Sequence, residues 1–373
     1  MASSPFRIRA YGKDFASLGL LGDPQAVTVY PRHNQQPTAQ VVVRSDHQLA
    51  GKLLTEGCRL VIDYHGRQIV SGPVDQMSGD GSVNGALTLQ VRDDWSLLTD
   101  VLGWPVPSAA IISQNTSAYD TRTGPAETVV KGFVQAAVTR LGLPVTVAPD
   151  LGRGQTITVS MRMHALLDRL MPLIDQASIG VTVRQNGTSG LVVDCYEPAW
   201  YPQTLSPHSG VVVDWEWSRS APKATRAVVG GQGDGTARVF RQRIDTTAES
   251  LWGMKREVFV DASDAATSAL LDARGDAAIA EGAATAGLKL TLAETDSFRY
   301  GDQLRVGDLV TTKLVPGADP ITDVLREAVI SWSADEGLSA TPVVGDRTDD
   351  PDKTFARAVA SLARAVRIDR ARR

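Results

Sequence analysis

The sequence predicts a mainly β chain with an α+β insertion, a long helix within the second β block and a helix at the C-terminus. Three observations carry this. Short β-branched runs separated by turn residues fill the first hundred positions, helical spacing takes over between 105 and 208, and strand-like runs return from 209.

Residues 1–104 form the first unit. AVTVYPRH, TAQVVVRS, CRLVIDYHGRQIVSGPVDQM and GALTLQVRDD are its strand candidates. Within the third run, His65-Gly66 joins Leu60–Tyr64 to Gln68–Val70 as a hairpin. Asp93-Asp94 ahead of Trp95, Leu97 and Leu98 reads as a short capped helix. Trp104-Pro105-Val106-Pro107 then breaks the chain and sets the first boundary.

Residues 105–208 read as α+β. Pro125 opens a helix in which Val129, Phe133, Ala136, Ala137 and Arg140 recur at helical spacing, and Gly142 and Pro144 stop it. The strand TITVSM precedes a second helix, MHALLDRLMPLIDQAS, with Pro172 as a kink point. VTVRQNGTSGLVVDCYEP is a hairpin turning at Asn186-Gly187.

Residues 209–348 return to β structure with GVVVDWEWSRS and ATRAVVGGQGDGTARVFRQRID. An Ala-rich helix is expected over 263–286, with Gly287 as its C′ residue. The strands KLTLAE, LVTTKLV and VLREAVISWSAD follow. The hairpin from Gly57 to Val74 has a loose counterpart from Gly307 to Val324, a hint of duplication. Residues 349–373 are expected to be a basic amphipathic helix opened by Asp349-Asp350-Pro351. Its Phe355, Val359, Leu362 and Val366 are spaced 4, 3 and 4, a heptad-like seam suited to a partner. A helix this short is marginal alone in water, so the seam must pack on something.

At 373 residues with 43% apolar content, the chain has material for two or three cores. A net charge of −4 offers no basic field for nucleic acid. Cys58 and Cys195 lie far apart in strand-like runs and read as buried free thiols. The first fifteen residues hold no apolar leader, and no window approaches a membrane span, so synthesis in a cytoplasm is expected.

Catalytic patterns do not emerge, and no cofactor is expected. The five histidines are scattered, without metal-ligand spacing, and read as surface or core-edge residues. Gly230-Gly231-Gln232-Gly233-Asp234-Gly235 follows a strand as a phosphate loop would. The strand-like TARVFRQRID after it supplies no helix N-terminus, so it reads as a hairpin turn. Asp93-Asp94, Asp335-Glu336 and Asp349-Asp350 are adjacent pairs whose side chains diverge, and read as helix starts or solvated turns. Trp215 and Trp217 share one strand face, which suits core packing and also sugar stacking.

Several stretches together carry a resemblance. APKATRAVVGGQGDGTARVFRQ, ESLWGMKREVFVDAS, RYGDQLRVGDLVTT and PVVG, with GPAETVVKGFV and LAGKLLTEGCRLVIDYHGRQIVSGPV upstream, occur in an order that resembles the minor tail or baseplate-hub proteins of actinobacterial siphophages. The resemblance implies a virion protein at the tail tip, a homotrimer in which each chain gives two β-barrel-like tube domains, here 1–104 and 209–348. Six barrels would then continue the hexameric tail tube around the DNA channel. Implied partners are the distal tail protein, the tube ring, and the tape-measure protein or receptor-binding tip components. A slightly acidic lining would let DNA slide. Only 28 residues follow Gly345, too few for a lytic domain. The alternatives are a carbohydrate-binding adsorption protein, using Trp215, Trp217 or Trp252, and a cell-wall hydrolase.

Overall fold

A computed structural model describes residues 4–79, 85–263, 265, 267–292, 298–314 and 320–345. The chain opens with β1 (Phe6–Tyr11), β2 (Ser17–Leu21), β3 (Ala26–Tyr30), β4 (Thr38–Arg44), the single-turn helix α1 (Ala50–Leu53), β5 (Arg59–Tyr64), β6 (Arg67–Gly79) and β7 (Ala86–Arg92). His65 (φ 48°) and Gly66 (φ 73°) both take left-handed backbone. This pair of conformations twists with the flanking strands, so it closes β5 onto β6 as the sequence predicts. Gly72 sits where β6 crosses the end of β7, and a Cβ there would lie 1.9 Å from the Arg92 carbonyl oxygen. Asp93 caps the next turn by accepting the Trp95 N–H at 2.9 Å, and α2 (Leu97–Asp100) follows.

The α+β unit comprises β8 (Leu102–Gly103), β9 (Asp120–Pro125), α3 (Ala126–Leu141), β10 (Val145–Val147), β11 (Thr156–Met161), β12 (His164–Ala165), α4 (Leu166–Ile174), β13 (Gly180–Gln185) and β14 (Leu191–Tyr196). Val129, Phe133 and Ala137 on α3 pack with Leu166, Leu170 and Ile174 on α4 in a separate core. Gly142, at φ 63°, ends α3 as expected. The β13–β14 connection is longer than the two-residue turn expected, running from Asn186 to Gly190. Asn186 and Gly190 close it, the Asn186 N–H donating to the Gly190 carbonyl at 2.8 Å.

The remainder contains β15 (Val212–Ser220), β16 (Arg226–Gly230), β17 (Phe240–Ile244), α5 (Thr246–Trp252), β18 (Glu257–Asp261), α6 (Ser268–Glu281), β19 (Thr285–Leu292), β20 (Leu309–Thr312), β21 (Ile321–Ser333) and β22 (Gly337–Gly345). The long helix expected over 263–286 is shorter, and Gly287 is not its cap. Thr267 caps α6 at its start, and Thr285–Leu292 pairs with β15, so sheet hydrogen bonding overrides the helix propensity of the alanines. Gly230–Gly235 is the expected turn, since β16 and β17 are antiparallel with Gly230 opposite Phe240. Its surroundings have no local signature in the sequence. β18 runs parallel to β16, and α6 covers that three-stranded sheet through Ala227, Val229 and Leu271.

Both β blocks enter one twelve-stranded sheet in the order β15-β19-β22-β21-β3-β4-β7-β6-β5-β1-β2, with β20 paired to β21. They also share one apolar core, in which Ile8, Val41 and Leu60 meet Leu290, Leu325 and Ile330.

Candidate functional site

The sheet carries a repeat that creates an open site. Gly57 (φ 75°) precedes β5 by two residues, and Gly307 (φ 94°) precedes β20 by two. After each hairpin the returning strand bonds back to the residue following that glycine. The Val74 N–H donates to the Cys58 carbonyl and the Leu325 N–H to the Asp308 carbonyl, both at 2.8 Å. A bulge comes next in both, at Val74/Gln76 and at Leu325/Glu327. Such a bulge bends a strand so that one half pairs in each direction. The orders β3-β4-β7-β6 and β15-β19-β22-β21 then correspond strand for strand.

The two runs join where β21 meets β3, with Ile330 opposite Val29 and Ser333 opposite Ala26. By the same correspondence, β15 is the counterpart of β3, and the end of β6 is the counterpart of the end of β21. β3 is buried at every position between its two neighbours. β15 has only β19 as a partner among the described residues, and exposes Val213 (66%) and Trp217 (55%). Asp75–Gly79 at the end of β6 is largely exposed and bonded on the β7 side alone among the described residues. Unpaired edges are templates for another strand.

Trp215 and Trp217 do not form a twin platform, because Trp215 packs on the core while Trp217 stands in solvent. Phe355, Val359, Leu362 and Val366 lie outside the described residues. Both cysteines are buried free thiols, and burial pushes the Cys195 thiol up to about 12.

Buried polar groups fix the α+β unit against the sheet. Arg59 donates to both carboxylate oxygens of Asp94, at 2.5 and 2.7 Å, and to Gln185 Oε1 at 3.0 Å. Its guanidinium lies 4.6 Å from the Phe15 ring centroid. Asp93 accepts from the Ser71 N–H and Asp94 from the Ser71 hydroxyl, at 2.9 and 2.8 Å. The pair is the helix start the sequence suggested, with Asp93 as its cap, but it is buried rather than solvated. Burial raises both, and the Arg59 charge pulls Asp94 back.

A second junction holds His33, which is buried rather than at the surface. His33 Nδ1 lies 2.7 Å from the Tyr196 hydroxyl, and Asn34 bridges from its other side to Asp175 Oδ1 (2.6 Å) and the Ile179 carbonyl (2.9 Å). Burial lowers His33 to about 4, and burial also raises Asp308 to about 7, with Arg67 opposing that rise. The signs differ. His33 folds neutral, so its stabilisation is present above its unfolded value near 6.5 and is lost as pH falls toward 4. Asp308 folds protonated, so its stabilisation is present below 3.8 and is lost as pH rises through 7. Between pH 5 and 7 the two oppose each other. Unfolding free energies from urea titration should therefore rise on acidification over this range in His33→Gln and fall in Asp308→Asn, each relative to the parent, by on the order of 1 kcal/mol.

No cluster of histidine, cysteine and carboxylates suited to a metal occurs among the described residues, and no described helix is long and apolar enough to cross a membrane. No curated protein matches the chain. Among solved structures, the chain is similar to the 43 kDa tail protein of prophage MuSo2 from Shewanella oneidensis. That match has 15% identity and TM-score 0.57, covering 91% of this chain and 98% of that one. It is also similar to prophage tail protein gp18 from Listeria monocytogenes, at 10% identity and TM-score 0.56, covering 96% and 99%. A tail protein from Neisseria meningitidis gives 12% identity and TM-score 0.55, covering 91% and 96%. These similarities concern the fold, which is that of phage tail proteins. Residues 6–346 match the family described as Siphovirus ReqiPepy6 Gp37-like protein, and the chain belongs to that family.

Proposed function

We propose that this chain is a structural hub protein at the tip of a long non-contractile tail, in which three copies join head to tail around the DNA channel. The observation that carries the reading is the pair of open edges at matched places in a repeated sheet. Where β3 sits on β21 within one chain, β15 of a second copy would sit on the Asp75–Gly79 end of β6. Such a contact joins two different surfaces, so it propagates and closes only as a ring. With two repeats per chain, three chains present six equivalent units, which matches a hexameric tube. The seam of Phe355, Val359, Leu362 and Val366 then serves the three-fold side, packing with its symmetry mates or with the next tip component. The distal tail protein and tube ring adjoin the six-fold side, with the tape-measure protein within. The role is assembly and needs no catalysis.

Cross-linking tests the ring. Cysteines at Arg219 and Met77, the counterparts of the paired Pro31 and Ala328, should give, on oxidation, a ladder that ends at three chains. Only monomers, or a ladder without an end, would rule out the closed trimer. Truncation before Asp349 should leave the melting temperature unchanged while reducing attachment of distal tip components at least tenfold, scored by pull-down and by infectious titre. Tails assembled normally by that truncation would remove the seam's role in attachment.

A further inference from the structure

A cavity of about 520 Å³ lies where the β5–β6 hairpin, β13 and the segment from Tyr300 to Asp308 come together. That volume suits a small polar molecule. Four arginines line it: Arg32, Arg67, Arg184 and Arg305. Arg32 is engaged, donating to Glu327 at 2.7 Å and to the Gln36 carbonyl at 2.9 Å. Arg67 and Arg184 have no ion pair or hydrogen bond with a described residue, and both reach solvent. The Arg305 Nε is buried without a hydrogen-bond partner among the described residues, its nearest carboxylate oxygen on Asp308 being 3.9 Å away.

Three carboxyls share the wall, and Arg67 acts on Asp308 and Arg184 on Asp93, yet burial raises both of these acids and so reduces the negative charge that faces the guanidinium groups. Asp93 is held by the N–H groups of Ser71 and Trp95. Asp308 accepts the Arg305 backbone N–H at 2.9 Å, and its carboxyl, raised to about 7 by burial, carries only part of a charge at neutral pH. Glu197 is the remaining carboxylate. In a chain of net charge −4, the three guanidinium groups without a hydrogen-bonded partner among the described residues thus outnumber the ionised carboxylates of the wall at neutral pH, beside apolar walls from Ile69, Val183 and Val306. Guanidinium groups in a partly closed, low-dielectric recess favour an anion with planar or tetrahedral oxygens.

We infer that this cavity binds the carboxylate or phosphate of a small polar ligand about the size of a charged sugar, held by Arg67, Arg184 and Arg305. The aromatic edges of Tyr64, Tyr196 and Tyr300 then face the uncharged part of the ligand. The site is independent of the ring edges, since it lies inside one chain.

Titration calorimetry on the full chain tests this with three probes: inorganic phosphate, glucuronate and uncharged glucose. At least one anion should bind at millimolar concentration or below while glucose does not. Phosphate alone would mark a phosphate ester as the ligand, and glucuronate alone a carboxylate. Arg67→Ala and Arg184→Ala should each weaken that binding at least tenfold, whereas Arg241→Ala, whose side chain pairs with Asp272 elsewhere, should leave it unchanged. Arg67→Lys serves if the alanine variant melts early. Absence of anion binding at about 10 mM, where even a weak millimolar site would fill, equal binding of glucose, or unaltered binding in both cavity variants would overturn the assignment.

Discussion

Asp94→Ala is expected to destabilise the fold by about 3–5 kcal/mol, the range for breaking a buried ion pair from one side. The reason is the group left behind. Arg59 is 9% exposed, and its guanidinium would keep only Gln185 and the Phe15 ring once both Asp94 oxygens are gone. Ser71 would lose a partner as well, and it also accepts the Gln185 N–H at 3.0 Å, so the loosening reaches β13. Relief of Asp93 from its charged neighbour returns a part of the loss. Removing both charges with Arg59→Leu and Asp94→Leu should recover most of the stability, because the burial penalty belongs to the unpaired charge. Urea denaturation of Asp94→Ala, Arg59→Leu and the double variant checks this. Equal destabilisation by the single and double changes would mean that packing, not charge, fastens this junction.

Val213→Lys with Trp217→Lys is expected to leave the chain folded and to abolish its self-association, lowering the affinity between copies at least a hundredfold. Both side chains are largely solvated in the single chain, so lysine there disturbs little. In the ring Trp217 takes the place of Val29 on the buried strand β3, where an unpaired charge is costly, and Val213 is the bulge residue at the start of the same edge. Lysine on an edge strand is also how natural sheets prevent strand addition. Sedimentation velocity reads the result. A double variant that associates like the parent would place the contact elsewhere.

Strand runs with β-branched periodicity and true turn residues were the legible part of the fold. Leu60–Tyr64, His65-Gly66 and Gln68–Val70 form the hairpin they spell out, and Gly142 ends its helix in left-handed backbone. Legibility failed where long-range pairing decides the outcome. Thr285–Leu292 has the alanines of a helix nearby, yet β15 and β22 supply its hydrogen bonds from both sides. The parallel partner of β16 is about thirty residues downstream, beyond any local pattern. The functional groups were hidden for a related reason. Nothing near Asp93 and Asp94 signals a buried pair, because Arg59 and Gln185 come from other elements. The repeat did leave a trace in Gly57 and Gly307. Its meaning came from the bulges and sheet order, which no single-residue pattern records.

The mass of the purified protein in solution, alone and mixed with the distal tail protein, tests the head-to-tail ring most directly. A chain of 39.8 kDa should form a closed species holding three copies, about 119 kDa alone or that mass plus the bound distal tail protein in the mixture, in at least one of the two conditions and with no further copies of the chain added as concentration rises. A monomer in both conditions, or a symmetric dimer that leaves β15 and the end of β6 exposed, would contradict it.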